Sequence, residues 1–186
     1  MVLVMAQEEA VGMKKVVMVI AHQNFRDEEL LRTKEVLEKN GIEVKVSSTS
    51  LTFARGVLGA EVIPDILLDE VRAEDFDAVI FIGGSGCEQF WEDSAAHRLA
   101  KEASVRNKVI GAICIAPVIL AKAGLLKGKK ATVFSSEVNL IEAEGAKYTA
   151  KSVEKDGNII TAAGPSAAGE FGKEITIAIK QTGSGI

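Results

Sequence analysis

The sequence predicts an α/β fold: a mostly parallel sheet covered by helices on both faces. Three observations carry that expectation. Short, β-branched apolar runs recur at residues 16–20, 78–82 and 109–113, the pattern of strands buried on both sides. Segments with helical spacing of apolar residues alternate with them, which points to parallel strands joined by crossover helices. The 186 residues are 47% hydrophobic with a formal net charge of −4, enough apolar matter for one core and too little charge for a disordered chain. No repeat or linker interrupts the pattern, so residues 13–186 are expected to form a single domain. Residues 1–12 form a short apolar extension ahead of Met13-Lys14-Lys15, expected to fray or to pack peripherally.

The first strand, Val16 to Ile20, leads into DEELLRTKEVLEKN at 27–40, where Leu30, Leu31, Val36 and Leu37 are spaced for one helical face. Asp27 is placed to cap that helix and Gly41 to close it. Glu43 to Ser48 reads as the next strand. Residues 51–75 read irregularly, with short antiparallel strands expected around Val57-Leu58 and Glu61-Val62-Ile63. The strand at 78–82 ends in Gly83-Gly84, and a polar amphipathic helix follows at 94–107. The strand at 109–113 runs into Cys114-Ile115-Ala116-Pro117 and an apolar helix through Ala123. A strand at 131–134, a helix at 141–146, a hairpin turning at Asp156-Gly157 and a helix at 168–181 complete the domain. The tail from Thr182 is rich in Gly and Ser and expected to be loose.

Several function classes are disfavoured. No dense basic stripe indicates nucleic-acid binding. No run approaches the ~18–20 apolar residues of a membrane span. Two cysteines are too few for a disulfide framework and suit a reducing cytoplasm. Two histidines, His22 and His97, leave no ligand set for a metal, and neither GxGxxG nor GxxxxGK[ST] offers a phosphate loop. No cofactor is expected.

In parallel sheets, ligands bind beyond the C-terminal ends of the strands. That rule singles out His22 to Glu29, Gly83 to Trp91, and Cys114. Cys114 lies on a strand-to-helix turn with Pro117 early in the helix, where free amides and the helix dipole favour a thiolate. A buried cysteine is equally a small hydrophobe. Glu29 is either a solvated first-turn acid or an inward one. Turned inward, it accepts the thiol proton or, when protonated, donates to sulfur. The amides of Gly84 and Ile115 are positioned for an oxyanion hole. Glu88 and Cys87 follow on the glycine loop, and Phe90 and Trp91 are either core or a subunit contact. His22 is a candidate to line the cleft, whereas His97 is expected to be solvated.

The segments FRDEELLRTKEVLEKNGIEV, FDAVIFIGGSG, AICIAPVILAKAGLLKGKKAT and SVEKDGNIITAAGPSAAGEFG, in this order over about residues 14–180, resemble the ThiJ/PfpI superfamily, including its Parkinson-disease deglycase branch. The resemblance implies a flavodoxin-like three-layer sandwich with Cys114 as nucleophile and Glu29 as the acid bonded to it. It also implies Gly84 and Ile115 as oxyanion donors, and a homodimer or larger assembly. Glu88 matches the acid that reaches a neighbouring subunit's site in the protease-like branch. Two departures matter. Ile115 stands where that branch has His directly after the Cys, and Phe134-Ser135-Ser136-Glu137 has no His where the deglycase-type branch often has one. A Cys–His pair contributes about 10²–10⁴-fold through proton transfer. Its absence shifts the expectation from peptide hydrolysis to glyoxalase- or deglycase-like chemistry on methylglyoxal or its adducts. The alternatives are a redox-sensing or chaperone-like stress protein without turnover, in which Cys114 oxidises to a sulfinic acid, and a PfpI-type intracellular protease or amidase in which His22 reaches Cys114.

Overall fold

The computed structural model describes residues 12–182. The expectations for residues 1–11 and 183–186 lie outside the described residues. Along the chain run β1 (Lys15–Val19), β2 (Gln23–Phe25), α1 (Asp27–Lys39), β3 (Glu43–Ser48), β4 (Ala54–Gly56), β5 (Glu61–Val62), β6 (Ile66–Leu67), β7 (Ala78–Phe81) and α2 (Ser94–Val105). They are followed by β8 (Val109–Ile113), α3 (Pro117–Lys122), β9 (Lys130–Ala131), α4 (Val138–Ala143), β10 (Lys147–Tyr148), β11 (Val153–Asp156), β12 (Ile159–Ala162) and α5 (Ala168–Gln181).

The central sheet has the order β11-β12-β8-β7-β1-β3-β6. Its pairings are parallel except for the β11–β12 hairpin. β1, β7 and β8 are buried along nearly their whole length, as strands covered on both faces must be. α1 packs with α5, and α2 packs with α3, giving the three-layer α/β arrangement. Among the described residues, no helix is long and apolar enough to cross a membrane.

Several local expectations need correction. Asp27 does not cap α1; Arg26 holds the N-cap position, without a side-chain bond. The Asp27 carboxylate is 5% exposed and accepts hydrogen bonds from the amides of Leu58, at 2.8 Å, and Ala60, at 2.7 Å. Those amides are thereby withdrawn from strand pairing. Val57-Leu58 consequently form the turn between β4 and β5 rather than a strand of their own. The buried face of α1 runs through Glu29, Leu30, Thr33 and Leu37, which turns Leu31 outward.

The expected strand at 131–134 survives only as Lys130–Ala131, paired with β10 in a separate ribbon. Beyond it, the Thr132 amide bonds Thr161 Oγ1 and the Phe134 amide bonds the Cys114 carbonyl, so the segment follows the sheet end without a ladder. The helix expected at 141–146 starts earlier, at Val138. Phe90 is buried in the core, which removes it as a subunit contact, and Trp91 is half-buried against the same core. His97 is half-buried rather than solvated, with Nε2 2.7 Å from the Trp91 carbonyl oxygen.

Asp27→Ala removes both bonds to the β4–β5 turn and leaves two amides unpaired. We expect a loss of about 1–3 kcal/mol in urea denaturation, together with faster hydrogen exchange at Leu58 and Ala60.

Candidate active site

Three chain segments meet at the C-terminal edge of the sheet. β7 ends at Phe81 and passes through Ile82 into Gly83-Gly84; α1 contributes its first turn; and β8 ends at the Cys114 elbow. Gly83 is where they touch. A β-carbon there would lie 2.6 Å from Cys114 Cβ and 2.7 Å from Glu29 Oε2, so only glycine admits the approach. Gly84 has φ +98, and a β-carbon on it would stand 2.4 Å from the Arg26 nitrogen. The Arg26 amide bonds the Gly83 carbonyl at 2.9 Å and stitches α1 to the strand end.

Cys114 adopts φ +65, a left-handed conformation that costs a non-glycine residue about 1–3 kcal/mol. Backbone bonds hold it there. Its amide donates to the Ala162 carbonyl at 2.9 Å, and its carbonyl accepts from the Phe134 amide at 2.8 Å. The side chain is 8% exposed and opens onto a cavity of about 460 Å³. The amides of Gly84 and Ile115 both bond the sulfur.

Glu29 is completely buried. Its Oε2 accepts from the Gly83 amide at 2.9 Å. Oε1 has no hydrogen-bond partner of good geometry, and the carboxyl as a whole lies beside the Cys114 thiol. Burial pushes the Glu29 carboxyl up to about 7, against the opposing pull of the thiol, the Gly83 amide and the Arg26 charge. Burial, then the adjacent Glu29 charge, pushes the Cys114 thiol up to about 12, while the two amides pull it down. The elbow amides pull the thiol down as expected, but burial and the Glu29 carboxyl push it up by more. α3 has only six residues, and desolvation by the surrounding segments outweighs the local dipoles. The repulsive part of the shift exists only while Glu29 is ionised. When the carboxyl keeps its proton that repulsion is gone, and ionising the thiol then leaves the pair with one negative charge rather than two.

The cavity wall combines Val57, Ile115, Phe134 and Pro165 with Arg26, Glu88 and Glu137. Glu88 is exposed at the mouth. His22 is not among the lining residues; its Nε2 lies 3.3 Å from Thr52 Oγ1, in the loop before β4. Cys87 is fully buried, and desolvation pushes its thiol well above the ordinary range. Among the described residues, no group of three or more His, Cys, Asp or Glu is arranged to hold a metal. The sequence placed Arg26 only within the segment His22 to Glu29 and Phe134 only where a His was missing, and it gave Val57 and Pro165 no part in the site. Arg26 was readable as the residue directly before the acidic turn, but Val57 and Pro165 carried no local signal.

A profile of the DJ-1/PfpI family matches residues 14–178. The chain belongs to this family. Within it, MJ0967 of Methanocaldococcus jannaschii is 41% identical over 170 residues, covering 90% of this chain and 83% of that protein. The glutathione-independent glyoxalase DJR-1.2 of Caenorhabditis elegans is 28% identical, covering 87% of each chain. The solved structure of a ThiJ/PfpI domain protein from Brachyspira murdochii is similar with a TM-score of 0.89 at 34% identity, covering 91% of this chain and 99% of that one.

The Glu29 carboxyl makes stability depend on pH. The folded protein holds this proton up to about pH 7, whereas an unperturbed carboxyl loses it near 4.5. Stability therefore falls as pH rises across that window, and the loss is complete above it. We expect Glu29→Gln to lack this slope and to gain on the wild type by about 2–3 kcal/mol between pH 5 and pH 8 in urea denaturation.

Proposed function

We propose that the protein is a cysteine-dependent enzyme of small-carbonyl chemistry that converts a 2-oxoaldehyde such as methylglyoxal into the corresponding 2-hydroxycarboxylate. The observation that carries this reading is the pairing of the Cys114 sulfur, which lines the cavity, with the completely buried Glu29 carboxyl behind it.

In the resting pair Glu29 is ionised and Cys114 is a thiol; the carboxylate takes the thiol proton as the sulfur attacks the aldehyde carbon. A C–S bond forms, and the carbonyl π electrons move to oxygen. Glu29 gives its proton to that oxygen, leaving a hemithioacetal. The resulting carboxylate takes the hydrogen from the former aldehyde carbon as a proton and returns a proton to the former ketone carbon by way of an enediol. One carbon is oxidised and its neighbour reduced, so no external oxidant enters. Water then cleaves the thioester, releasing the 2-hydroxycarboxylate and a proton and restoring the thiol. The Gly84 and Ile115 amides act on negative charge at the sulfur and at the oxygen formed beside it.

The glyoxalase name of the nematode relative supports the class of reaction. Peptide hydrolysis is less well supported, because the cavity lining contains no imidazole to protonate a leaving amine. The reading includes a reducing cytoplasm, where free thiols persist. It also includes a homo-oligomer, for which the exposed Phe53, Leu58 and Ile63 offer apolar surface.

Cys114→Ala is expected to reduce lactate formation from methylglyoxal to the level of buffer alone, and Glu29→Gln to lower kcat by about 10²-fold or more. Lactate production that survives Cys114→Ala would overturn the proposal.

A further inference from the structure

We infer that the cavity selects uncharged 2-oxoaldehydes carrying an aromatic or branched apolar substituent, and that Phe134 is the residue that recognises this substituent. The inference rests on the small-carbonyl reading and adds the substrate's side chain to it.

Size is the first argument. Methylglyoxal has five heavy atoms and phenylglyoxal has ten. The cavity measures about 460 Å³. A three-carbon substrate leaves most of that space to water, whereas phenylglyoxal, with twice the heavy atoms, occupies about twice as much of it.

The second argument is the wall. Val57, Ile115, Phe134 and Pro165 line the same cavity as the Cys114 sulfur. Phe134 is 42% exposed and Val57 44%, although both face a concave site rather than the outer surface alone. The Phe134 ring is backed by Gly164, where a β-carbon would come within 3.3 Å of it. Its amide is tied to the Cys114 carbonyl at 2.8 Å, which fixes the ring's starting point relative to the sulfur. A preorganised aromatic face beside a nucleophile favours a flat apolar group on the electrophile.

Charge supplies the third argument. The lining contributes two carboxylates, Glu88 and Glu137, against one guanidinium. That guanidinium, of Arg26, is already engaged by Glu28 through bonds of 2.8 and 3.1 Å. A substrate carboxylate would meet two acids and a cation already paired. Oxo acids such as glyoxylate are therefore disfavoured, and neutral carbonyls are accepted.

Two assays test the inference, one without turnover. In initial-rate measurements, kcat/KM for phenylglyoxal should exceed that for methylglyoxal by about tenfold, the scale of a single well-placed apolar group. Phe134→Ala should collapse this ratio, mainly through KM for phenylglyoxal, and Phe134→Tyr should restore it. In the second assay, acetophenone should slow alkylation of Cys114 by iodoacetamide, benzoate should not, and Phe134→Ala should abolish the acetophenone effect. A ratio unchanged by Phe134→Ala, or equal protection by benzoate and acetophenone, overturns the inference. If neither aldehyde is turned over while acetophenone protects through Phe134, the enzymatic reading fails and the recognition of apolar rings stands.

Discussion

The end of β7, the first turn of α1 and the elbow after β8 come within contact distance at Gly83, and the rest of the site is arranged around that approach. With no side chain at this position, the Gly83 amide reaches Glu29 Oε2, and the carboxyl lies against the Cys114 thiol. The crowding has an energetic consequence. A carboxyl and a thiol are both removed from water, and each resists ionising beside the other. The sheet sustains this arrangement through ordinary backbone bonds. The same bonds hold the left-handed Cys114 between the end of β12 and the Phe134 segment.

The chemistry open to the pair follows from having a single readily lost proton. Near neutral pH, the carboxyl and the thiol together bear at most one negative charge. The two backbone amides at the sulfur bias that charge toward it, while burial opposes charge on either atom. A thiol in this setting is not a standing anion. In the proposed reaction it turns nucleophilic only as the neighbouring carboxylate takes its proton and hands it on, which couples bond formation to proton transfer. The low polarity of the surroundings strengthens the few polar contacts that remain.

Much of this was legible in the sequence. The strands at 16–20, 78–82 and 109–113 announced themselves by uninterrupted β-branched apolar runs, and the Gly-Gly pair marked a strand end where a backbone approaches closely. What escaped was non-local. Asp27 has the identity and position of a cap, yet its partners are amides some thirty residues on, and nothing in the local pattern reveals them. The same bonds explain why the strand placement near Val57 slipped. The thiolate expectation weighed dipoles visible at the elbow and left out desolvation, which comes from segments folded over it. Phe134 was read only as a missing histidine, because its part in the cavity wall depends on the path of the chain after β9.

That path has an evolutionary consequence. Phe134 is anchored to the elbow through its main chain, so the anchor does not depend on which side chain the position carries. Replacing the ring changes the cavity wall without cutting the main-chain bond to the Cys114 elbow. A lineage can thus remodel this recess by altering one codon, while the backbone frame around the elbow is inherited unchanged.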